Sequence, residues 1–253
     1  GKIGTSNTVA AILARDELLD PAAGKFADFA ILRYRRALSD DSYLGGLYTG
    51  READLRSNRV VGVDGQLRLS GASTLAGHAF TSRTEQGGGV DDGWSLGMYY
   101  RYGDRDLQVI GTAYDMASDF QTDAGYLTRT GVSRYALSVI PLFYPGVDWI
   151  LRMDPQVGVR TLRDHASGLW EEFYLFTTTF HLARSTSLQI GWDISNEVFL
   201  GERFGTSGFQ VSTESQFTRK VFLHLFARKD KRIRYVASPY QGRGTSFTGV
   251  VTY

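Results

Sequence analysis

Between Leu188 and Phe217 hydrophobic and polar residues alternate at nearly every step. Leu188, Ile190, Trp192 and Ile194 fall between Gln189, Gly191, Asp193 and Ser195. After VFLGERFGTSG the alternation resumes, with Phe209, Val211, Thr213, Ser215 and Phe217 in one register and Gln210, Ser212, Glu214 and Gln216 in the other. A period of two is a β-strand with one apolar and one polar face. The pattern returns along the whole chain and predicts fourteen strands, over 6–15, 26–38, 42–52, 59–70, 74–84, 93–103, 106–116, 131–144, 147–162, 169–182, 186–201, 206–217, 221–236 and 245–253. Little reads as helix. Residues 16–25 have room for one helical turn, limited by Pro21 and Gly24.

The connections between these strands alternate in length. Short ones stand at 39–41, 71–73, 104–105, 145–146, 183–185 and 218–220. Longer ones stand at 16–25, 53–58, 85–92, 117–130, 163–168, 202–205 and 237–244. Strands of about ten residues joined in this way are how an outer-membrane barrel is written, with short turns on the periplasmic side and long loops outside. The expected fold is therefore all-β, a transmembrane antiparallel β-barrel of at least fourteen strands. Residues 1–253 would form one barrel domain. The chain starts directly in pattern, and TSFTGVVTY at its end lacks a convincing terminal aromatic signature. Further sequence at one or both ends is therefore expected.

The registers divide by chemistry. The lipid-facing set is Val63, Leu67, Leu69; Trp94, Leu96, Met98, Tyr100; Leu137, Val139, Phe143; Val147, Trp149, Leu151, Met153; and the apolar residues of 188–194. The expected lumen lining is Asp64, Arg68, Arg101, Arg134, Arg152, Asp193 and Glu214, with Gln66, Ser95, Tyr99, Ser138, Asp148 and Asp154 beside them. An Arg or Lys on the lipid face costs about 2–4 kcal/mol at mid-bilayer, so charge collecting in one register is informative. The exception is RYRR (33–36), which charges both registers. Aromatics near strand ends, among them Tyr43, Tyr48, Trp94, Tyr144, Trp149, Phe217 and Tyr235, suit interfacial girdles.

Composition changes this picture little. The chain has 253 residues, 42% hydrophobic and 22% charged, with formal net charge +1. Mean hydropathy is −0.21. That value suits a soluble protein and equally a barrel, whose lumen positions cancel its lipid positions. No basic excess marks a nucleic-acid partner. Cysteine is absent, which excludes disulfides and thiolate metal sites.

Three stretches carry a family resemblance: FADFAILRYRRAL (26–38), SNRVVGVDGQLRLSGASTLAGHAFTSRT (57–84) and FQTDAGYLTRTGVSRY (120–135). They resemble a large outer-membrane β-barrel family catalogued as domain of unknown function 5916. The similar positions include Asn58, Arg59, Gly62, Asp64, Leu75, Gly77, Arg83, Thr84, Asp123, Gly125, Tyr126, Arg129 and Arg134. The family usually has Phe followed by Val where Tyr126–Leu127 stands. The likeness covers about residues 26–140. It implies a bacterial outer-membrane location and supplies no catalytic residues. Longer members carry an N-terminal carbohydrate-binding family 9-like domain. No such module is visible here, so no sugar-binding role is carried over.

Candidate chemistry is sparse. His78 and Ser82 can share a strand face with Asp64 beside them, but a Ser–His–acid set needs mutual hydrogen-bond reach. The bland reading is a lumen histidine. Asp119 and Asp123, or Asp91 and Asp92, lack the spacing of a calcium loop, and GGG (87–89) reads as a flexible loop. No metal or cofactor is expected. The long 117–130 loop, with Phe120 and Tyr126, is expected to fold inward as a constriction. In ARKDKRIR (227–234), Lys229 and Lys231 continue the lipid register outward, where they would meet lipopolysaccharide phosphates. The alternative is an ordinary solvated strand end.

The favoured function is passage or uptake of small solutes, or service as the membrane unit of a larger surface complex. The partners would be outer-membrane lipid and lipopolysaccharide, other envelope subunits or an N-terminal binding domain. The rival readings are a barrel-type outer-membrane hydrolase acting on lipid or peptide, and a soluble β-sandwich array.

Overall fold

A computed structural model describes residues 1–18 and 25–253. The helical turn considered at 16–25 falls largely on 19–24, outside the described residues. Asp16 and Glu17 are strand. The strands are β1 (Lys2–Ile3), β2 (Asn7–Glu17), β3 (Phe26–Ser39), β4 (Ser42–Ala53), β5 (Arg56–Arg68), β6 (Ser73–Gln86), β7 (Gly89–Gly103), β8 (Leu107–Met116), β9 (Val132–Pro141), β10 (Ile150–Asp164), β11 (Trp170–Leu182), β12 (Thr186–Phe199), β13 (Glu202–Gly205), β14 (Gly208–Gln216), β15 (Phe222–Arg234) and β16 (Tyr240–Thr252). Among the described residues there is no helix.

The protein is an all-β, antiparallel, 16-stranded sheet whose strands follow chain order, with β13 branching off β12. Apart from the short β1 and β13, fourteen strands remain, and each overlaps one expected from alternation. The path is open in this structure: it starts at β1–β2 and stops at β16 without joining. The closed barrel expected from the sequence is therefore not seen. Contacts divide the chain into two compact units, 1–100 with 112–134, and 101–111 with 135–253.

Connection lengths differ from the strict alternation expected. The loops placed at 53–58 and 85–92 shrink to residues 54–55 and 87–88, because the flanking strands run on into them. The second turn works because Gly87 and Gly88 both take positive φ, 60° and 82°, as a type I′ hairpin requires. On the other side, the turn placed at 145–146 grows to 142–149, since β10 starts only at Ile150. Asp148 lies in that exposed connection rather than on a strand face.

Register confirms the division into faces within each unit. In the first, Gly45, Asp64 and His78 pair directly across β4, β5 and β6, so their side-chain positions share the polar face. Val63, one step away, is exposed on the other face. RYRR resolves in the same way: Arg33 and Arg35 lie on the polar face opposite Leu47 and Gly45, and Tyr34 and Arg36 on the other. In the second unit Val157, Phe176, Trp192 and Phe209 form one row straight across β10, β11, β12 and β14. Each is about half exposed. Tyr43 leaves the expected girdle set. It sits on the polar face, with the Arg35 guanidinium 3.7 Å above its ring.

Candidate functional site

The polar face of the first unit is partly covered by the chain itself. After Met116 ends β8, residues 117–131 turn back across β5, β6 and β7. Phe120 leads, only 4% exposed, in a small apolar cluster with Val60 and Met116. Phe80, Tyr114, Ala117 and Leu127 pack around it. The Phe120 backbone passes so close over Gly93 that a Cβ there would stand 2.3 Å from it. Only glycine admits that approach.

Polar groups then fix the strap. The Gln121 N–H donates to the Ser82 hydroxyl at 3.1 Å, and the Asp123 N–H donates to Asn58 Oδ1 at 2.9 Å. Asn58, 1% exposed, returns two bonds from Nδ2, to the Gln121 carbonyl at 3.1 Å and to Thr84 Oγ1 at 2.9 Å. The Asp123 carboxylate accepts from Arg56 Nε at 2.7 Å and Nη2 at 2.9 Å, and Arg51 Nη1 stands 3.5 Å away. A buried amide left without partners would be costly, so Asn58 and the strap require one another. At the base, the Gly131 N–H donates to the Ala117 carbonyl at 3.3 Å, with φ of 66° at Gly131.

Of the two residues expected to form a constriction, Phe120 packs onto the polar face of the sheet and Tyr126 does not. Tyr126 is 88% exposed and packs on nothing in the cluster. Asp123, weighed as a calcium ligand, is taken by arginine instead. Among the described residues no group of three His, Asp or Glu stands close enough to share a metal ion.

Below the strap lies a pocket lined by Tyr43, Asp64, His78, Tyr99, Thr112, Tyr114 and Arg134, with Gly65, Gly77 and Gly97 in its wall. Arg33 grips both oxygens of Asp64. The His78 ring lies across Gly97, where a Cβ would meet Cε1 at 2.3 Å, and stacks on Phe80 at 4.9 Å. Its Nε2 meets Ser95 Oγ at 3.3 Å. The combination of His78 with Ser82 is thus corrected: Ser82 is spent on the strap, and the serine at His78 is Ser95. Ser95 is 2% exposed and Asp64 is held by Arg33, so this geometry presents no open nucleophile.

The other expected lumen residues separate into paired and open groups. Arg152 holds Asp154 through two bonds, 2.7 and 2.8 Å, and His181 Nε2 joins at 2.7 Å. Asp193 is almost wholly buried. It receives Arg228 at 2.9 Å and the Ser195 hydroxyl at 2.9 Å, while Arg228 also donates to Asp230 and Gln210. Gly208 makes this possible, since a Cβ there would stand 2.7 Å from the Arg228 guanidinium. Arg68 spans the 69–72 turn, donating to the Ser70 and Gly71 carbonyls. Arg101 and Glu214 are exposed at strand positions, and Arg134 lies over Tyr114 at 5.9 Å. Lys229 and Lys231 are exposed, Lys229 level with Phe209 and Lys231 level with Arg243.

Sequence reasoning missed Asn58, Arg56 and Arg228. Arg228 falls in a legible polar register, but Arg56 and Asn58 fall in what reads as the 53–58 connection, and the decisive partners of all three lie 35 to 67 residues away, where no local pattern reaches. No family model matches this chain, and a search of the curated proteins finds no relative.

Proposed function

We propose that this chain forms the wall of an integral barrel of the bacterial outer membrane, and that small polar solutes pass along its charged interior. The observation that carries this reading is the row Val157–Phe176–Trp192–Phe209, each residue about half exposed, across four strands. Water disfavours a contiguous apolar face of that kind, whereas lipid solvates it. The opposite face keeps its charges in pairs or open to water, which suits a wet interior better than a packed core. On this reading the 117–131 strap is the constriction. On the same reading Lys229, level with Phe209 at the end of the row, and Lys231, two residues farther on, reach outward to lipopolysaccharide phosphates.

The test is topology followed by conductance. Single cysteines at Gly88 and Ser167 should label from outside intact cells, and one at Ala72 should not. Equal labelling of all three overturns the membrane reading. Purified protein should conduct in planar bilayers, more so when the strap is loosened. Silence in both native and loosened protein overturns passage.

A second reading, the membrane unit of a larger assembly, is favoured by the two unjoined strand edges at β2 and β16. In lipid an unpaired edge is costly, so these edges would join each other or strands of a partner. A cysteine pair at Ala10 and Val250 that crosslinks within one chain supports self-closure. Crosslinks only between chains support assembly.

A further inference from the structure

The pocket below the strap has an imbalance of charge. Asp64 is the one carboxylate among its lining residues, and Arg33 takes both its oxygens. Two more arginines face this wall without a carboxylate partner among the described residues. Arg35 rests on the Tyr43 ring at 3.7 Å and Arg134 on the Tyr114 ring at 5.9 Å. An aromatic face steadies a guanidinium while leaving its N–H donors unspent. Arg134 itself lines the pocket over the ring of Tyr114, with Tyr99 and Thr112 in the same lining.

We propose that this pocket is a subsite for a small carboxylate with an apolar body, its carboxylate held by Arg134 and its body laid against Tyr114. A planar fork of N–H donors fits a carboxylate through two parallel bonds, and rings beside it accept the apolar part. Arg35, across the pocket beside Tyr43, adds positive field without touching the ligand. The proposal rests on the passage reading for its biological sense, since a weak interior subsite is where a permeating anion would pause. Its geometry lies wholly within the first unit and does not depend on closure of the sheet.

The probe is benzoate, with neutral benzamide of the same shape as control, titrated calorimetrically into detergent-solubilised protein. Benzoate should bind at least ten times more tightly than benzamide. Arg134→Gln should remove that preference, while Arg134→Lys, which keeps the charge, should retain part of it. Heat-modifiable gel mobility reports whether each variant is folded. Equal affinity for benzoate and benzamide in native protein overturns the proposal, as does an unchanged preference in folded Arg134→Gln. Should the Gln variant not fold, the native comparison decides alone. Bilayer recording separates the two readings: benzoate binding without conductance keeps the subsite and removes passage, and conductance without binding does the reverse.

Discussion

Phe120→Ala should free the strap and leave the sheet standing. Phe120 is 4% exposed, among Val60, Met116, Phe80, Tyr114 and Leu127, so truncation removes nearly a whole buried ring. Changes of that kind cost about 3–5 kcal/mol when the surroundings do not collapse. At about 1.4 kcal/mol per factor of ten, the released form becomes on the order of 10² to 10³ times more populated. The readout is amide hydrogen exchange at Gln121 and Asp123, whose N–H groups are held by Ser82 and Asn58. Both should exchange faster by that factor. Amides deep in the β5–β6 ladder, such as Val63 and Ala79, should hardly change, because Phe120 packs near one end of these strands and on the opposite face from their side chains. Asp123→Asn weakens only the charge in the Arg56 bond, worth roughly 1–3 kcal/mol at a part-exposed site, and should act in the same direction more weakly. Unchanged exchange at Gln121 and Asp123 in Phe120→Ala would refute the strap. Acceleration spread evenly to Val63 and Ala79 would show that Phe120 holds the sheet itself.

Three further outcomes are expected. Ile190→Arg should cost about 2–4 kcal/mol in denaturant unfolding from liposomes, whereas Gln189→Arg should cost under about 1, losing only the bond to Thr179 Oγ1; equal costs would mean the faces are misassigned. Asp193→Ala should cost about 3 kcal/mol by leaving part of the buried Arg228 unmatched, and adding Arg228→Ala should recover some of it; strictly additive losses would show the pair to be uncoupled. At the 104–106 turn, Asp104 is held below the usual carboxylate range by the Tyr102 hydroxyl first, then by the Asp106 and Leu107 N–H groups. Its folded value is lowered, so its contribution is complete above the unfolded value near 3.9 and fades as pH falls through the lower folded one. Asp104→Asn should therefore flatten the acid limb of stability below about pH 4, and an unchanged limb would remove Asp104 from it.

Alternation made the fourteen long strands and their two faces legible, because side chains along a strand point to opposite sides whatever the strand's neighbours are. Val63, Asp64, Trp192 and Asp193 could be assigned in that way. The length of a connection was less legible. Residues 85–92 read as a loop because of Gly87, Gly88 and Gly89, yet the glycines needed only two positions to reverse the chain. Of the candidate site, the polar register and Phe120 could be read. That Tyr126 stays exposed while Phe120 packs was not legible, since an aromatic residue in a loop carries no mark of which surface it will meet.

The sequence by itself determined the strand, its period and the sign of each face, all consequences of backbone geometry and local solvation. The tertiary structure alone decided who meets whom. Asn58, Ser82 and Gly93 become the seat of the strap because three neighbouring strands bring them to one patch beneath residues 120–123. Asp193 meets Arg228 because Gly208 leaves room for a guanidinium to cross the strand between them. His78 finds Ser95 rather than Ser82 because four residues along one strand span about 13 Å, whereas the neighbouring strand brings Ser95 alongside. These pairings depend on register across strands and on space above particular glycines, and neither is written in the alternation of any single strand.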